Sequence, residues 1–372
     1  MIKKITIILL IFILTGCYDH QELNDIAILT ATEINKIDNE FILNVEIVNP
    51  KKEESNEIPF VIYQSKGKTI QEAYRMLKLS SSRYIYPDHL RIVIINEALA
   101  KEDITEVLDF YLRNPLSRTE FNVLISKDEN ILNPISPIEP ISATSILDTL
   151  ETSSNYLGIS NLVTLNDLTN MKLNPNTEII LPTIKLDNPI KNVKEETYKL
   201  DTLAVFKDNK LKGYLSTDES ITYNLIKNNL HNTIITYECE KNKYLSLEII
   251  NYKSTISTKN HEINIDIPIT STINESACNI DYNNDKAINN LENNLNTYLK
   301  TNILNNINHI RKEYNSDIFG FKDIIYKHDY TFYKKIKDTW YQNTYQNIKI
   351  NINPQIKIIA KGKIMEDINE KN

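Results

Sequence analysis

Glycine is scarce: six residues in 372. That scarcity argues against folds built on glycine-rich phosphate loops, where the backbone itself must approach the ligand. Gly67-Lys68-Thr69 before a helical stretch resembles the end of such a loop. The full motif needs glycine at position 62, however, where Ile62 stands, and no glycine lies between Gly16 and Gly67. Cysteine is also rare. Cys17, Cys239 and Cys278 form no C-x-x-C pair, and none of the six histidines has another four residues away, so no metal ligand set emerges. No G-x-S-x-G elbow is present. Acidic residues are plentiful, but no two stand out as a glycosidase pair. The sequence therefore gives no case for catalysis, and no cofactor or metal is expected. Beyond the first residues no apolar run approaches the roughly 20 residues needed to span a bilayer.

What is present begins at the N-terminus. Lys3 and Lys4 precede an apolar stretch from Ile5 to Leu14, too short for a permanent span and suited to a secretory signal. Leu14-Thr15-Gly16-Cys17 follows and resembles the bacterial lipobox. There the cysteine thiolate receives a diacylglyceryl group, and the small residue before it lets the peptidase reach the backbone. Residues 1–16 are thus expected to be a lipoprotein signal peptide, with Cys17 as the N-palmitoyl and S-diacylglycerol cysteine. Two or three acyl chains hold a protein stably where one does not. Cleavage removes two lysines from 42 basic residues and none of the 49 acidic ones, taking the net charge from −7 to −9. Such a chain is a poor nucleic-acid binder and is repelled by anionic headgroups. The acyl chains, rather than charge, must hold it to membrane lipid. Cys239 and Cys278 remain as a possible pair outside the cytoplasm. Two cysteines do not make a disulfide framework, and we expect buried free thiols.

Hydrophobic periodicity predicts an α+β, multi-domain chain with mixed or antiparallel sheets packed by helices. Residues 25–48 read as a hairpin in which Phe41, Leu43, Val45 and Ile47 share one face. Thr69 with Glu72 predicts a capped helix over 69–80. A strand at 89–96, a helix at 102–114, a strand at 120–126, a helix near 141–155 and a strand at 176–185 follow. We place an N-terminal domain at 17–190, a linker at 191–200 and a C-terminal domain at 201–372. The second domain opens with a hairpin turning at Asp208-Asn209 and continues as an antiparallel meander. A long amphipathic helix over 287–314 carries Ile288, Leu291, Leu295, Leu299, Ile303, Ile307 and Ile310 on one stripe. The last strand contains Pro354, which predicts a sheet edge. Trp340 reads as a packing anchor. Gly320 reads as a helix-ending residue at positive φ, with a docking corner presenting Phe319 and Phe321 as the alternative.

The segment after the anchor, "CYDHQELNDIAILTATEI", resembles the start of the Ger(x)C spore germination lipoproteins, which commonly read Cys-Trp-Asp-Arg-Arg-Glu-Leu-Asn there. Cys17, Asp19, Glu22, Leu23 and Asn24 match, whereas Tyr18, His20 and Gln21 depart. Further similar pieces follow in the family's order: "EIVNP" (46–50), "SKGKTIQEA" (65–73), "HLRIVIINEALA" (89–100), "VLDFYLRNP" (107–115), "LAVFKDNKLKGYLS" (203–216), "YNSDIFGF" (314–321) and "KKIKDTW" (334–340). The resemblance implies a non-enzymatic lipoprotein with several α+β domains, the C subunit of a nutrient germinant receptor. Its partners would be the A and B membrane subunits, at the outer face of the spore inner membrane. It leaves open whether this subunit touches the nutrient. The competing class is a solute-binding lipoprotein of an import system, which normally shows two βα lobes with glycine hinges.

Overall fold

The computed structural model describes residues 26–48, 60–114, 118–134, 139–187 and 197–360. The first hairpin is β1 (Ile26–Ile37) and β2 (Glu40–Val48), joined at Asp38 and Asn39, both with positive φ. β3 (Phe60–Gly67) adds antiparallel to β2. On the other side of β1 the pairing becomes parallel, with β4 (Tyr84–Tyr86) and then β5 (Ile92–Asn96). β6 (Asn122–Ser126) and β7 (Ile180–Asp187) continue in parallel, and β8 (Thr197–Lys207) and β9 (Lys210–Tyr214) close the sheet antiparallel.

Both faces of this first sheet are covered. Leu29, Leu43, Val45, Val93 and Phe206 belong to one core, under α1 (Ile70–Met76), α2 (Glu97–Glu102), α3 (Thr105–Arg113) and α5 (Leu165–Leu173). Ala31, Ile92, Ile94 and Leu124 face the opposite way, against Ala143, Ile146 and Leu150 of α4 (Ser142–Tyr156). Central strands buried on both sides read as continuous apolar runs, which is why "IVIIN" shows no alternation.

The second sheet contains β10 (Ile234–Glu240), β11 (Lys243–Tyr252), β12 (Thr255–Lys259) and β13 (Glu262–Ser276), all antiparallel, with β14 (Ile350–Ala360) parallel to β13. β14 has β13 as its one partner among the described residues, so Pro354 does lie on an edge strand. One face is solvated. Ile263, Ile265, Ile267 and Ile269 point from the other face to α7 (Asp285–Tyr314), whose predicted stripe is buried. At 30 residues, α7 is about 45 Å long. α6 (Thr217–Lys227), α8 (Phe321–His328), α9 (Tyr330–Ile336), a short π-helical turn at Trp340–Thr344 and α10 (Tyr345–Asn347) complete this half. Trp340 is buried in its core.

The hairpin β8–β9 joins the first sheet, not the meander with which the sequence groups it. Successive side chains on a strand face opposite ways. On β8, Ala204 and Phe206 enter the first core, while Leu203 and Val205 enter the core under α7. One strand thus builds both halves. The predicted linker over 191–200 lies largely outside the described residues, apart from its last four, which open β8.

Asparagine fills the conformational role that scarce glycine leaves. Ten described non-glycine residues have positive φ, and seven are asparagine: Asn39, Asn130, Asn209, Asn228, Asn242, Asn260 and Asn315. The left-handed region disfavours a Cβ, but a short polar side chain that bonds locally offsets part of that cost. Asp38-Asn39 and Asp208-Asn209 have positive φ at both central residues, the backbone of a type I′ turn that matches strand twist.

Candidate functional site

The phosphate-loop resemblance resolves into a capped helix. Thr69 Oγ1 accepts from Glu72 N at 3.1 Å, and Glu72 Oε2 accepts from Lys68 N at 2.7 Å. Gly67 is required for contact: a Cβ there would lie 2.5 Å from the Ala73 nitrogen. Among the described residues no group of three or more His, Cys, Asp or Glu side chains could hold a metal. Leu14, Thr15, Gly16 and Cys17 lie outside the described residues.

The richest polar constellation is the junction between the two halves. Its parts come from the segment that leads into β7, the β8–β9 hairpin and the segment after α7. Lys207 Nζ donates to the Asn315 carbonyl at 2.7 Å and lies over the Tyr341 ring, 2.9 Å from its centroid. Tyr341 donates its hydroxyl proton to Glu178 Oε1 at 2.7 Å, and Glu178 N donates to the Asp317 carbonyl at 3.3 Å. Ser316 Oγ donates to the Phe206 carbonyl at 2.6 Å, and Tyr345 donates to the Ser316 carbonyl at 2.6 Å. Tyr314 donates to the Tyr214 carbonyl at 2.7 Å, and its ring occupies the space a side chain at position 213 would need. Gly213 is therefore a close-approach glycine.

Asp317 sits at the centre, fully buried. Its carboxylate accepts from Phe321 N at 2.9 Å and Lys322 N at 2.8 Å, holding the first turn of α8. Burial pushes its carboxyl up to about 6. Burial also raises Glu178 and depresses Lys207 and Lys227, so each charge here is costly and is retained through its partners. This geometry offers no exposed nucleophile or general base. It can hold two sheets in one relative orientation.

Two further features tie elements together. Glu46, fully buried on β2, accepts from Thr30 Oγ1 at 2.7 Å, Ser142 N at 2.7 Å and Ala143 N at 3.1 Å, supplying an anion to the N-terminus of α4. At the other end of α4, buried Asn224 of α6 donates to the carbonyls of Gly158 and Ser160 at 2.8 and 3.0 Å.

Two expectations are corrected. Cys239 and Cys278 are not free thiols: they form a disulfide, with Cα atoms 6.1 Å apart, linking β10 to the segment after β13. β11 lies between these strands and brings the two cysteines to the same end, a proximity that a separation of 39 residues conceals. The docking corner at Gly320 is also overturned. Phe319 and Phe321 are buried and stacked on each other at 5.2 Å, so nothing is presented to a partner. Gly320 has φ +74° but starts α8; Asn315, at φ 47°, is the residue that ends α7.

Beside α1 and α3 the first half carries an open groove of about 620 Å³, lined in part by Phe41, Gln71, Glu106 and Phe110. It shares Gln71, Phe110 and Asn114 with a smaller recess of about 240 Å³ that reaches Arg75, Lys78 and Tyr84. Tyr74 and Tyr111 form the floor of the recess, their hydroxyls 3.2 Å apart and Tyr74 also bonded to Thr32 at 2.7 Å. Burial raises both phenols, which stay protonated.

The family model described as "Spore germination protein N-terminal domain" matches residues 19–186, and that described as "Spore germination B3/GerAC like, C-terminal" matches residues 201–362. The chain belongs to the Ger(x)C family of spore germination proteins. This Ger(x)C chain is 27% identical to spore germination protein KC of Bacillus subtilis (strain 168), across 96% of this chain and 95% of that protein. It is 24% identical to spore germination protein B3 of the same organism, across 62% of this chain and 64% of that one. The crystal structure of the GerBC protein shares its fold, with a TM-score of 0.55 at 16% identity over 88% of this chain and 96% of that chain. Three of the segments that resemble the Ger(x)C family, 203–216, 314–321 and 334–340, lie at or beside the junction. The resemblance thus marks structural joints. Glu46 lies in another of them.

Proposed function

We propose that this chain is the lipid-anchored, non-catalytic C subunit of a nutrient germinant receptor. It is held at the outer face of the spore inner membrane by Cys17 and acts with the A and B membrane subunits to trigger germination. The observation that carries this reading is the match of both halves of the chain to the two Ger(x)C domains. No helix among the described residues is long and apolar enough to cross a membrane, so in this reading attachment falls to the acyl groups on Cys17, placed by Leu14, Thr15 and Gly16. The function of the folded body is then mechanical. A junction of buried, mutually bonded groups transmits a displacement of one sheet to the other without hinge play. The strand shared between two cores also speaks against the hinged lobes of a solute-binding lipoprotein.

A strain lacking the gene tests this reading. Its spores should form normally, fail to respond to particular nutrients, and still germinate when receptors are bypassed. A Cys17→Ala chain should leave the membrane fraction and reproduce that phenotype. Retention of Cys17→Ala in membranes together with normal nutrient germination would refute the anchor.

A further inference from the structure

The first described residue, Ile26, pairs with Tyr84 in the register of β1 with β4, one strand spacing of about 4.8 Å away. Cys17 lies nine residues before Ile26, so even a fully extended segment places them no more than about 30 Å apart. In the anchored reading, the surface around Tyr84 is therefore among those closest to the bilayer. Its composition opposes that of the whole. The mature chain is acidic, yet residues 75–91 carry Arg75, Lys78, Arg83 and Arg91 against Asp88 alone. Among the described residues Arg75, Lys78 and Arg83 form no salt bridge within 4.0 Å. Lys78 instead sits 5.5 Å from the Tyr84 ring centroid, and Arg118 adds a charge close to Tyr86. Arg91 turns away, donating to Thr144 Oγ1 at 3.3 Å.

Apolar side chains stand between these cations. Leu79 is 79% exposed and Met76 44% exposed, on the same helical edge as Arg75 and Lys78, with Tyr84 37% exposed beside them. Exposed aliphatic tips, a tyrosine and cations without a salt bridge among the described residues form the pattern of an interfacial membrane contact, where the tips enter the acyl boundary and the cations meet phosphates. An acidic body tethered to an anionic surface is repelled except through such a face.

We propose that Arg75, Lys78 and Arg83, around Met76, Leu79 and Tyr84, form a docking surface for anionic phospholipid headgroups that sets the orientation of the tethered body on the bilayer. The proposal rests on the Cys17 anchor for its geometry, and its test separates the two. The acylated full chain carrying Leu79→Cys, labelled with a fluorophore, is reconstituted on vesicles of phosphatidylcholine alone or with phosphatidylglycerol, each containing bromine-labelled acyl chains as quenchers. The anchor predicts that the protein floats with both vesicles. The docking surface predicts that the label is quenched several-fold more on the phosphatidylglycerol vesicles, and less as salt rises. With about fivefold for each cation, Arg75→Gln, Lys78→Gln and Arg83→Gln together should reduce docking on the order of a hundredfold while flotation persists. A label equally unquenched on both vesicles, with the protein still floating, overturns the docking surface and leaves the basic lip for a protein partner. Flotation and quenching on phosphatidylglycerol vesicles only would refute the anchor and keep the surface. Flotation with neither refutes both.

Discussion

Replacing Glu46 tests whether a buried carboxylate fixes α4 to the first sheet. In the native fold its two oxygens receive one hydroxyl and two backbone N–H groups, all buried. Glu46→Ala leaves Ser142 N and Ala143 N without an acceptor, and each buried unsatisfied donor costs about 1–3 kcal/mol. Removing the charge also relieves its own desolvation, which offsets part of that loss. A net destabilisation of about 3 kcal/mol follows, a large fraction of the 5–15 kcal/mol typical of a domain. Glu46→Gln keeps the volume and one acceptor oxygen but turns an amide N–H toward a backbone N–H, so about 1–2 kcal/mol is expected. Urea unfolding of the three chains, with hydrogen exchange at residues 142–146, reads the effect directly. The expected order is wild type, then Gln, then Ala, with the first turn of α4 exchanging faster in both variants. A Gln variant as stable as wild type would show that the negative charge at the start of α4 contributes nothing, and a more stable one that it is a net cost.

Asp317 gives a pH prediction. Its carboxyl rises from about 3.8 to about 6 on folding through burial, and Glu33 and Glu178 are raised by the same cause. A raised carboxyl contributes stability that is present below about pH 4 and is lost as pH rises through about 6. The gap for Asp317 corresponds to about 3 kcal/mol, so Asp317→Asn should flatten the stability profile between pH 4 and 6 by about that amount; a profile with unchanged slope contradicts it. Cys278→Ser should lose about 4 kcal/mol, because the bridge closes a loop of about 39 residues. Reductant should bring the melting temperature of wild type down to that of the variant and leave the variant unmoved. Gly320→Val should lose more than 2 kcal/mol in thermal unfolding, from positive φ with a branched side chain, while Gly320→Asn stays within about 1 kcal/mol. Equal losses in the two would place the cost in crowding instead of backbone conformation.

Regular, one-sided elements were legible from residue order. The α7 stripe and the Ile263–Ile269 alternation each expose one face to water, so their periodicity is clean. The sequence also marks the turn at Asp208-Asn209 and the edge position of Pro354. What escaped it was whatever depends on a second neighbour. Glu46 reads as the polar side of a half-buried strand until α4 covers that face. Lys207, Glu178 and Tyr341 are 29 to 163 residues apart and meet only because β8 is shared. The disulfide escaped for the same reason, since β11 must be inserted between its ends. Its available signal was the expected export leader combined with two remaining cysteines. Phe319 and Phe321 flank a flexible residue, a local pattern that does not distinguish a presented corner from a packed one.

The two-faced character of β8 has a consequence for dissecting the molecule. Sequence similarity divides the chain between residues 186 and 201, but no cleavage plane runs there. A fragment stopped before β8 would leave β7 as a bare edge, open to pairing with other chains. A fragment begun at 201 would carry Phe206 and Ala204 facing water. Each half cut at that point is expected to be less stable than the same residues in the whole chain, because β8 contributes side chains to both cores.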